Sequence, residues 1–137
     1  MIQTGGFTFD MMPREPGTDN ISNEATNGLT NKRGTLAMAR TNDPNSARAQ
    51  FFINHRNNVS LNMRSDSAGY SVFGKVAEGM RVVDAIARVR TGNHGPYQNV
   101  PLEPIRILTA KLLNPDARTG TGAITVEPSF ERPIPIR

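Results

Sequence analysis

The sequence predicts an all-β domain, an antiparallel barrel or sandwich that carries one helix. Its 137 residues include 12 glycines and 10 prolines, a composition typical of many turns between short strands. Several short runs fit the two-residue alternation of strands, and only one run has helical periodicity. At this length the chain is one domain at most, and it is long enough to bury a core.

The first half of the chain is predicted to hold three short strands. Residues 1–9 begin with a strand that ends at a glycine pair. Residues 10–33 are rich in Asn, Gly, Pro and Thr and are predicted to form a long ordered loop, which is uncommon unless the loop is functional or wraps a scaffold. Further strands are predicted at residues 34–40 and 49–54, with a turn at the Asn-Asp-Pro-Asn sequence between them.

The second half is predicted to hold the helix and two more strands. A polar loop at residues 55–68 leads to a strand at residues 69–76. The helix is predicted over residues 78–90, because apolar side chains recur there at helical spacing and arginines lie near its carbonyl end. Gly92 is predicted to end the helix, and a last strand is predicted at residues 104–113.

The character of the chain changes after residue 113. Residues 114–137 contain Thr-Gly-Thr-Gly and Pro-Ile-Pro-Ile and have few positions that could form a core. We therefore predict a folded domain over residues 1–113 and a flexible C-terminal tail over residues 114–137.

The most informative strand is the one at residues 49–54. Because side chains of a strand alternate between its two faces, Gln50, Phe52 and Asn54 share one face, and Phe51 and Ile53 share the other. The face of Phe51 and Ile53 is predicted to be core. The opposite face sets an amide beside a large apolar ring, which suits a small site that holds an apolar group and an adjacent backbone.

Charge and composition exclude several classes of protein. There are 16 Lys and Arg against 12 Asp and Glu, a net charge of +4, but no basic run or exposed aromatic stripe that would predict nucleic-acid binding. The absence of cysteine excludes a disulfide scaffold and thiolate metal sites. No apolar run approaches the ~20 residues of a membrane span, and the first residues lack a signal-peptide pattern. We expect a cytoplasmic protein that binds neither nucleic acid nor membranes.

Residues for covalent, metal or phosphoryl chemistry are not recognisable in the sequence. The two histidines, His55 and His94, have no carboxylate or cysteine partner at metal-ligand spacing. No serine occupies a nucleophile elbow, and Gly120-Thr121-Gly122 lacks the strand-to-helix frame of a phosphate loop. We therefore expect no cofactor and no metal, and any catalysis would work through binding and hydrogen bonding alone.

Several segments together carry a family resemblance. The segments are Met1-Ile2-Gln3-x-Gly5-Gly6-Phe7, Asn23-Glu24-Ala25, Gly34-Thr35-Leu36-Ala37-Met38-Ala39-Arg40, Gln50-Phe51-Phe52-Ile53, Gly69-Tyr70-x-Val72-Phe73-Gly74-Lys75-Val76 and Gly79-Met80-x-Val82-Val83-Asp84. With these segments the sequence is similar to a cyclophilin of the short bacterial type, and the similarity extends in order over about residues 1–113. The resemblance implies a peptidyl-prolyl cis–trans isomerase on a closed eight-stranded antiparallel barrel capped by helices.

The resemblance also implies roles for eight residues. Phe52, Met1 and Leu61 would line a pocket for the proline ring, and Tyr70 would close its rim. Catalytic roles fall to Phe52, to Gln3, which would hold the substrate carbonyl, and to Gln50, which would support the site beside Phe52. The substrate backbone would meet two further residues, Ala39 and Arg40.

Each of these residues also has a structural interpretation. Met1, Phe52 and Leu61 could be core residues, and Gln3 and Gln50 could be ordinary strand-surface amides. Tyr70 could be a half-buried strand aromatic, as tyrosines often are. Ser60 lies near a position that is often aromatic in the family, so this side of the pocket departs from the family pattern.

The sequence departs from the family pattern at its start. In cyclophilins a Phe-His-Arg segment, whose arginine is the catalytic donor, precedes the Met-Ile-Gln segment, and here the chain starts at Met1. None of the arginines present matches that position. We therefore expect an N-terminally incomplete domain whose barrel cannot close and whose strand edges are unpaired.

Three functions are consistent with the sequence. The first is prolyl isomerisation in unfolded chains or surface loops, by a domain that is a monomer when complete. The second is a non-catalytic module, a degenerate or truncated cyclophilin, that binds proline-containing peptides without turnover. The third is a basic all-β protein that binds nucleic acid, which strong salt dependence of oligonucleotide binding would support.

Overall fold

The computed structural model describes residues 1–112 and 124–125. The chain divides into two units, Met1–Pro104 and Ile105–Arg137. In the second unit, strand β7 (Lys111–Leu112) pairs antiparallel with β8 (Ile124–Thr125). The rest of the predicted tail lies outside the described residues, so the division at residue 113 stays a prediction.

A four-stranded antiparallel sheet forms the centre of the first unit. Its strands lie in the order β1-β3-β2-β4, and all three pairings are antiparallel. The four strands are β1 (Ile2–Thr4), β2 (Thr35–Met38), β3 (Phe51–Ile53) and β4 (Val72–Lys75). Each lies inside a predicted strand but is shorter, because residues at both ends leave the ladder for loops.

One row of paired residues crosses the whole sheet. Phe52 pairs with Gln3 on one side and with Ala37 on the other, and Ala37 pairs with Val72. Laterally paired residues point to the same face of a sheet. We call this face, which holds Gln3, Ala37, Phe52 and Val72, the pocket face, and the other face the opposite face.

The buried core lies on the pocket face. Phe52 is 1% exposed and packs with Ala37, Ala39 and Val72, while Leu61 and Tyr70 pack against this cluster. The prediction that Phe51 and Ile53 form the core face was therefore wrong, since both are only half-buried. The reason is that residues of the 55–70 segment cover the pocket face, and alternation alone does not show which face a distant segment covers.

The long predicted loop is confirmed, with no helix or named strand in residues 10–33. Backbone hydrogen bonds hold it to the rest of the unit: among them, Arg14 N donates to Gly6 O at 2.9 Å, and Ile21 N donates to Ala47 O at 2.8 Å. The 55–68 loop is also confirmed and contains one short 3-10 helix, Val59–Leu61.

The helix α1 is shorter than predicted and spans Met80–Ile86. Only Val83 is buried in it, so packing supports just two turns. After it the backbone tightens, with Arg88 N donating to Ala85 O at 3.1 Å and Val89 N to Ile86 O at 3.3 Å. Gly92 does not end the helix as predicted, because it lies in the next strand.

A hairpin follows the helix and was missed by the sequence reading. Strand β5 (Thr91–His94) pairs antiparallel with β6 (Tyr97–Pro101). These strands are mostly exposed and polar, so they show no apolar alternation. The Tyr97 ring packs edge-on against Phe7, with 4.7 Å between ring centroids.

The predicted last strand was wrong for residues 104–110, which form no strand. Only Lys111–Leu112 of that segment are in a ladder. The apolar residues Ile105, Ile107 and Leu108 are 39–50% exposed, so apolar character alone does not bring this segment into a sheet.

The all-β class with antiparallel pairing and one α-helix is confirmed. Among the described residues, the first unit has sheets of four and two strands that do not join into a closed barrel, and the second unit has one two-stranded sheet. Among the same residues, no helix is long and apolar enough to cross a membrane.

Candidate functional site

Two amides meet at the edge of the pocket face. Gln3 Nε2 donates a hydrogen bond of 3.0 Å to Gln50 Oε1. Gln3 lies opposite Phe52 in the ladder, and Gln50 precedes Phe52 by two residues, so alternation places all three side chains on one face. Gly6 makes room for this pair, since a Cβ there would lie 2.5 Å from the amide carbon of Gln50.

Aromatic and aliphatic side chains cover the Phe52 ring. Tyr70 packs edge-on against Phe52 with 5.7 Å between centroids, and Leu61 packs against the same cluster. Leu61 and Tyr70 are joined by a backbone hydrogen bond of 3.0 Å from Tyr70 N to Leu61 O. Phe52 is thus buried beneath Leu61 and Tyr70.

Arg40 fixes the outer side of Tyr70. The guanidinium carbon lies 4.4 Å from the centre of the Tyr70 ring, a favourable cation–π geometry. Its Nε and Nη2 donate to Gly69 O at 3.0 and 2.8 Å, and Nη1 donates to Thr41 O at 2.8 Å. The guanidinium is therefore bound to the protein's own backbone, and a role in binding substrate backbone stays a prediction.

The two remaining predicted residues lie at different depths. Ala39 is 8% exposed, and its N–H donates to Gln50 O at 2.9 Å, which ties β2 to the amide pair. Met1 is 48% exposed and is not among the apolar residues that pack on the Phe52 cluster. Burial, together with the charge of Arg56, lowers the pKa of the Met1 amine.

These contacts define a surface with one apolar centre and hydrogen-bonding groups beside it. Among the described residues, no cluster of histidine, aspartate or glutamate could hold a metal ion. His55 directly follows the buried Asn54 in the chain. Its pKa is lowered, first by burial and then by the positive charges of the Met1 amine, Arg56 and Arg33. The arrangement is suited to holding an apolar ring and a flanking carbonyl rather than to covalent chemistry.

Comparison with known proteins identifies the family. Residues 1–112 match the family described as cyclophilin type peptidyl-prolyl cis-trans isomerase/CLD. The chain belongs to the cyclophilin family.

Bacterial cyclophilins are similar to this one over most of its length. A peptidyl-prolyl cis-trans isomerase of Acinetobacter baylyi is 53% identical over 112 residues, which cover 82% of this chain and 59% of that protein. Peptidyl-prolyl cis-trans isomerase B of Escherichia coli is 52% identical over 110 residues, 78% of this chain and 66% of that protein. This cyclophilin sequence therefore spans about three fifths of the length of such relatives.

The sequence reading of this cyclophilin missed a buried group of asparagines. Asn31 and Asn54 are 2% and 0% exposed, and their side chains bond to each other at 3.1 Å. Alternation places Asn54 on the Phe52 face without indicating its burial, and Asn31 lies in a predicted loop. The available signal was the density of asparagines after β3, at Asn54, Asn57, Asn58 and Asn62.

Proposed function

We propose that this cyclophilin is a peptidyl-prolyl cis–trans isomerase that assists protein folding. The observation that carries the proposal is the Gln3–Gln50 amide pair beside the Phe52 ring, on one face of a sheet whose sequence belongs to this family. An X-Pro bond presents the matching groups: an apolar ring and a carbonyl one bond away from it.

The chemistry asks little of the protein beyond binding. Rotation about a peptide bond has a barrier of about 18–20 kcal/mol because of the double-bond character of C–N. Spontaneous exchange at X-Pro takes tens to hundreds of seconds. An enzyme accelerates it by binding the twisted bond more tightly than the planar one, without a nucleophile, metal or cofactor.

We assign recognition to the described residues. Phe52, Leu61 and Tyr70 hold the proline ring, with Met1 at the edge, and Gln3 donates to the substrate carbonyl while Gln50 orients Gln3. Ala39 and Arg40 meet the peptide backbone. The resemblance implies that the donor to the prolyl nitrogen is the arginine of the family's Phe-His-Arg segment. Such a donor favours the pyramidal nitrogen of the twisted bond.

The proposed partners are proline-containing segments of unfolded or flexible proteins. The proposed contacts are to the proline ring and its flanking backbone, so we propose a permissive enzyme that works as a monomer in the cytoplasm. A reducing compartment suits a chain without cysteine.

The test is a protease-coupled isomerisation assay with a tetrapeptide that contains one Ala-Pro bond, run alongside an NMR titration with the same peptide. Because the donor belongs to the family's Phe-His-Arg segment, the assay uses this chain extended at its N-terminus by that part of the domain, and we expect acceleration above the spontaneous rate. Gln3→Ala should lower kcat/KM by about three- to tenfold, the effect of losing one neutral hydrogen bond, without unfolding the protein because Gln3 is exposed.

The matched control is Gln98→Ala, which removes an equally exposed strand amide in the hairpin. Its activity should equal that of the unmodified chain. Saturable binding without acceleration would instead support the non-catalytic binding module, and neither binding nor acceleration would overturn the proposal.

A further inference from the structure

The two residues that cover Phe52 are held by a single buried amide. Asn31 Nδ2 lies 3.2 Å from Leu61 O and 3.3 Å from Tyr70 O, and both carbonyls accept from it. The same nitrogen lies 3.2 Å from Asn62 Oδ1. Asn31 is 2% exposed, so water does not replace these donors when they are lost.

The backbone of Asn31 reinforces the same attachment. Its N–H donates to Asn62 Oδ1 at 2.7 Å, and its carbonyl accepts from Asn58 N at 2.8 Å. Asn58 O in turn accepts from Leu61 N at 2.9 Å. Asn31 therefore contacts the segment that carries Leu61 on both sides of that residue.

Asn54 connects this attachment to the strand that carries Phe52. Its Nδ2 donates to Asn31 Oδ1 at 3.1 Å and to Thr35 Oγ1 at 2.9 Å. Its Oδ1 accepts from Asn58 Nδ2 at 2.7 Å. Both amide hydrogens and the oxygen of Asn54 are thus bonded, as a fully buried amide requires.

We propose that this asparagine network, defined as Asn31, Asn54, Asn58 and Asn62, positions Leu61 and Tyr70 and so sets the space above Phe52 that a proline ring enters. Asn31 and Asn54 touch no substrate in this arrangement and act as positioning residues. A network with all its members bonded favours one arrangement of the residues it holds. The part of the proposal that concerns peptide binding rests on the proposed function.

The chemistry of the network argues for positioning rather than for stability alone. Two apolar residues at positions 31 and 54 would fill the same volume, although the Leu61 and Tyr70 carbonyls would lose this buried donor. They would not, however, hold the Leu61 and Tyr70 carbonyls at fixed distances. Directional bonds to both carbonyls constrain where the two side chains emerge over the Phe52 ring.

The test uses the 137-residue chain with Asn31→Ala and, as matched control, Asn23→Ala. Asn23 is also a loop asparagine; its Nδ2 donates to Ala68 O at 2.9 Å and its Oδ1 accepts from Ser71 Oγ, so it bonds neither the Leu61 nor the Tyr70 carbonyl. NMR reports the Leu61 methyl shifts, which depend on the Phe52 and Tyr70 rings, and a titration with the Ala-Pro tetrapeptide reports affinity.

We expect Asn31→Ala to move the Leu61 methyl and Tyr70 ring shifts and to weaken peptide affinity about tenfold. Asn23→Ala should leave both close to those of the unmodified chain. Equal effects of the two variants, or unchanged shifts in Asn31→Ala, would overturn the proposal. If Asn31→Ala does not fold, Asn62→Ala removes the half-buried acceptor of the same amide and carries the same expectation.

The two readouts separate this inference from the proposed function. If the unmodified chain binds no peptide, the proposed function fails, while the Leu61 and Tyr70 shifts still decide whether the network positions these residues. If the unmodified chain binds peptide and Asn31→Ala binds equally well, the inference fails and the proposed function stands.

Discussion

The two faces of the central sheet carry similar residues and have different environments. On the pocket face, Phe52 and Val72 are 1% and 3% exposed. On the opposite face, Phe73 is 48% exposed, and its ring meets Phe51 edge-on with 6.3 Å between centroids. On each face a phenyl ring contacts another aromatic ring, but only the ring on the pocket face, Phe52, is fully buried.

The difference comes from what covers each face rather than from the strands. The pocket face is covered by Leu61 and Tyr70, which belong to a segment held by the asparagine network. Polar loop residues thus create the apolar environment of the candidate site. Burial of an aromatic ring in this sheet is a property of the loop above it, and a site built this way is adjusted by changing the loop.

The largest expected effect tests this difference directly. Phe52→Ala should lower the free energy of unfolding by about 3–5 kcal/mol, as for other fully buried phenylalanines. Phe73→Ala, a substitution of the same type on the opposite face, should cost about 1 kcal/mol because half of its surface is already exposed. Urea unfolding followed by circular dichroism measures both.

Equal losses in the two variants would show that the faces do not differ in energy as they differ in burial. A small loss for Phe52→Ala, below that of Phe73→Ala, would mean that Leu61 and Tyr70 do not cover the Phe52 ring in solution.

A second, smaller effect tests the covering segment itself. Gly69 precedes Tyr70 and has φ of +65°, and a Cβ there would lie 2.3 Å from Met63 N. Gly69→Ala combines a left-handed backbone with a collision against backbone, and we expect it to cost about 2–4 kcal/mol. Thermal unfolding and the Tyr70 ring shifts in NMR measure it.

The control is Gly28→Ala, since Gly28 also has positive φ, +81°, but a Cβ added there would meet nothing within 4 Å. It should cost only the left-handed backbone, about 1–2 kcal/mol. If both variants lost the same stability, close packing between residues 63 and 69 would not contribute to holding the segment over the pocket face.

The sequence predicts features that depend on neighbouring residues, but not those that depend on residues far along the chain. Alternation correctly placed Gln50 and Phe52 on one face, because the period of two is a property of the strand itself. It could not decide which face is buried, because Phe51 and Ile53 are as apolar as Phe52. That choice depends on residues 55–70, whose path is set by hydrogen bonds to Asn31, more than twenty residues earlier.

The same reasoning explains the other differences. The strands of the β5–β6 hairpin are polar and exposed. They lack the apolar alternation that predicts a strand, and only their backbone pairing in the structure identifies them. Arg40 lies in a segment that matches the family, but the sequence of that segment does not show that the guanidinium lies over the Tyr70 ring. Residues whose role depends on a partner far along the chain were found only in the structure.

The smallest effect is expected for an exposed contact that belongs to neither face. Arg33 donates from Nη1 and Nη2 to the two carboxylate oxygens of Asp84 at 2.8 and 2.9 Å. These hydrogen bonds lower the pKa of Asp84 below its usual range. A carboxylate with a lowered pKa stabilises the folded state at pH above its unfolded value, near 3.9, and this contribution is lost as pH falls through the folded-state pKa.

Asp84→Asn should therefore be less stable than the unmodified chain at about pH 6, with a difference that shrinks as pH falls below about 3.9. Urea unfolding across this range measures it. Asp10, whose pKa is lowered by the Thr8 hydroxyl, is present in both proteins and cancels in the comparison. Asp66→Asn removes the more exposed Arg64 ion pair and should change stability least, since such pairs contribute little in water. A difference for Asp84→Asn that stayed constant with pH would show that the Arg33 contact does not depend on the charge of Asp84.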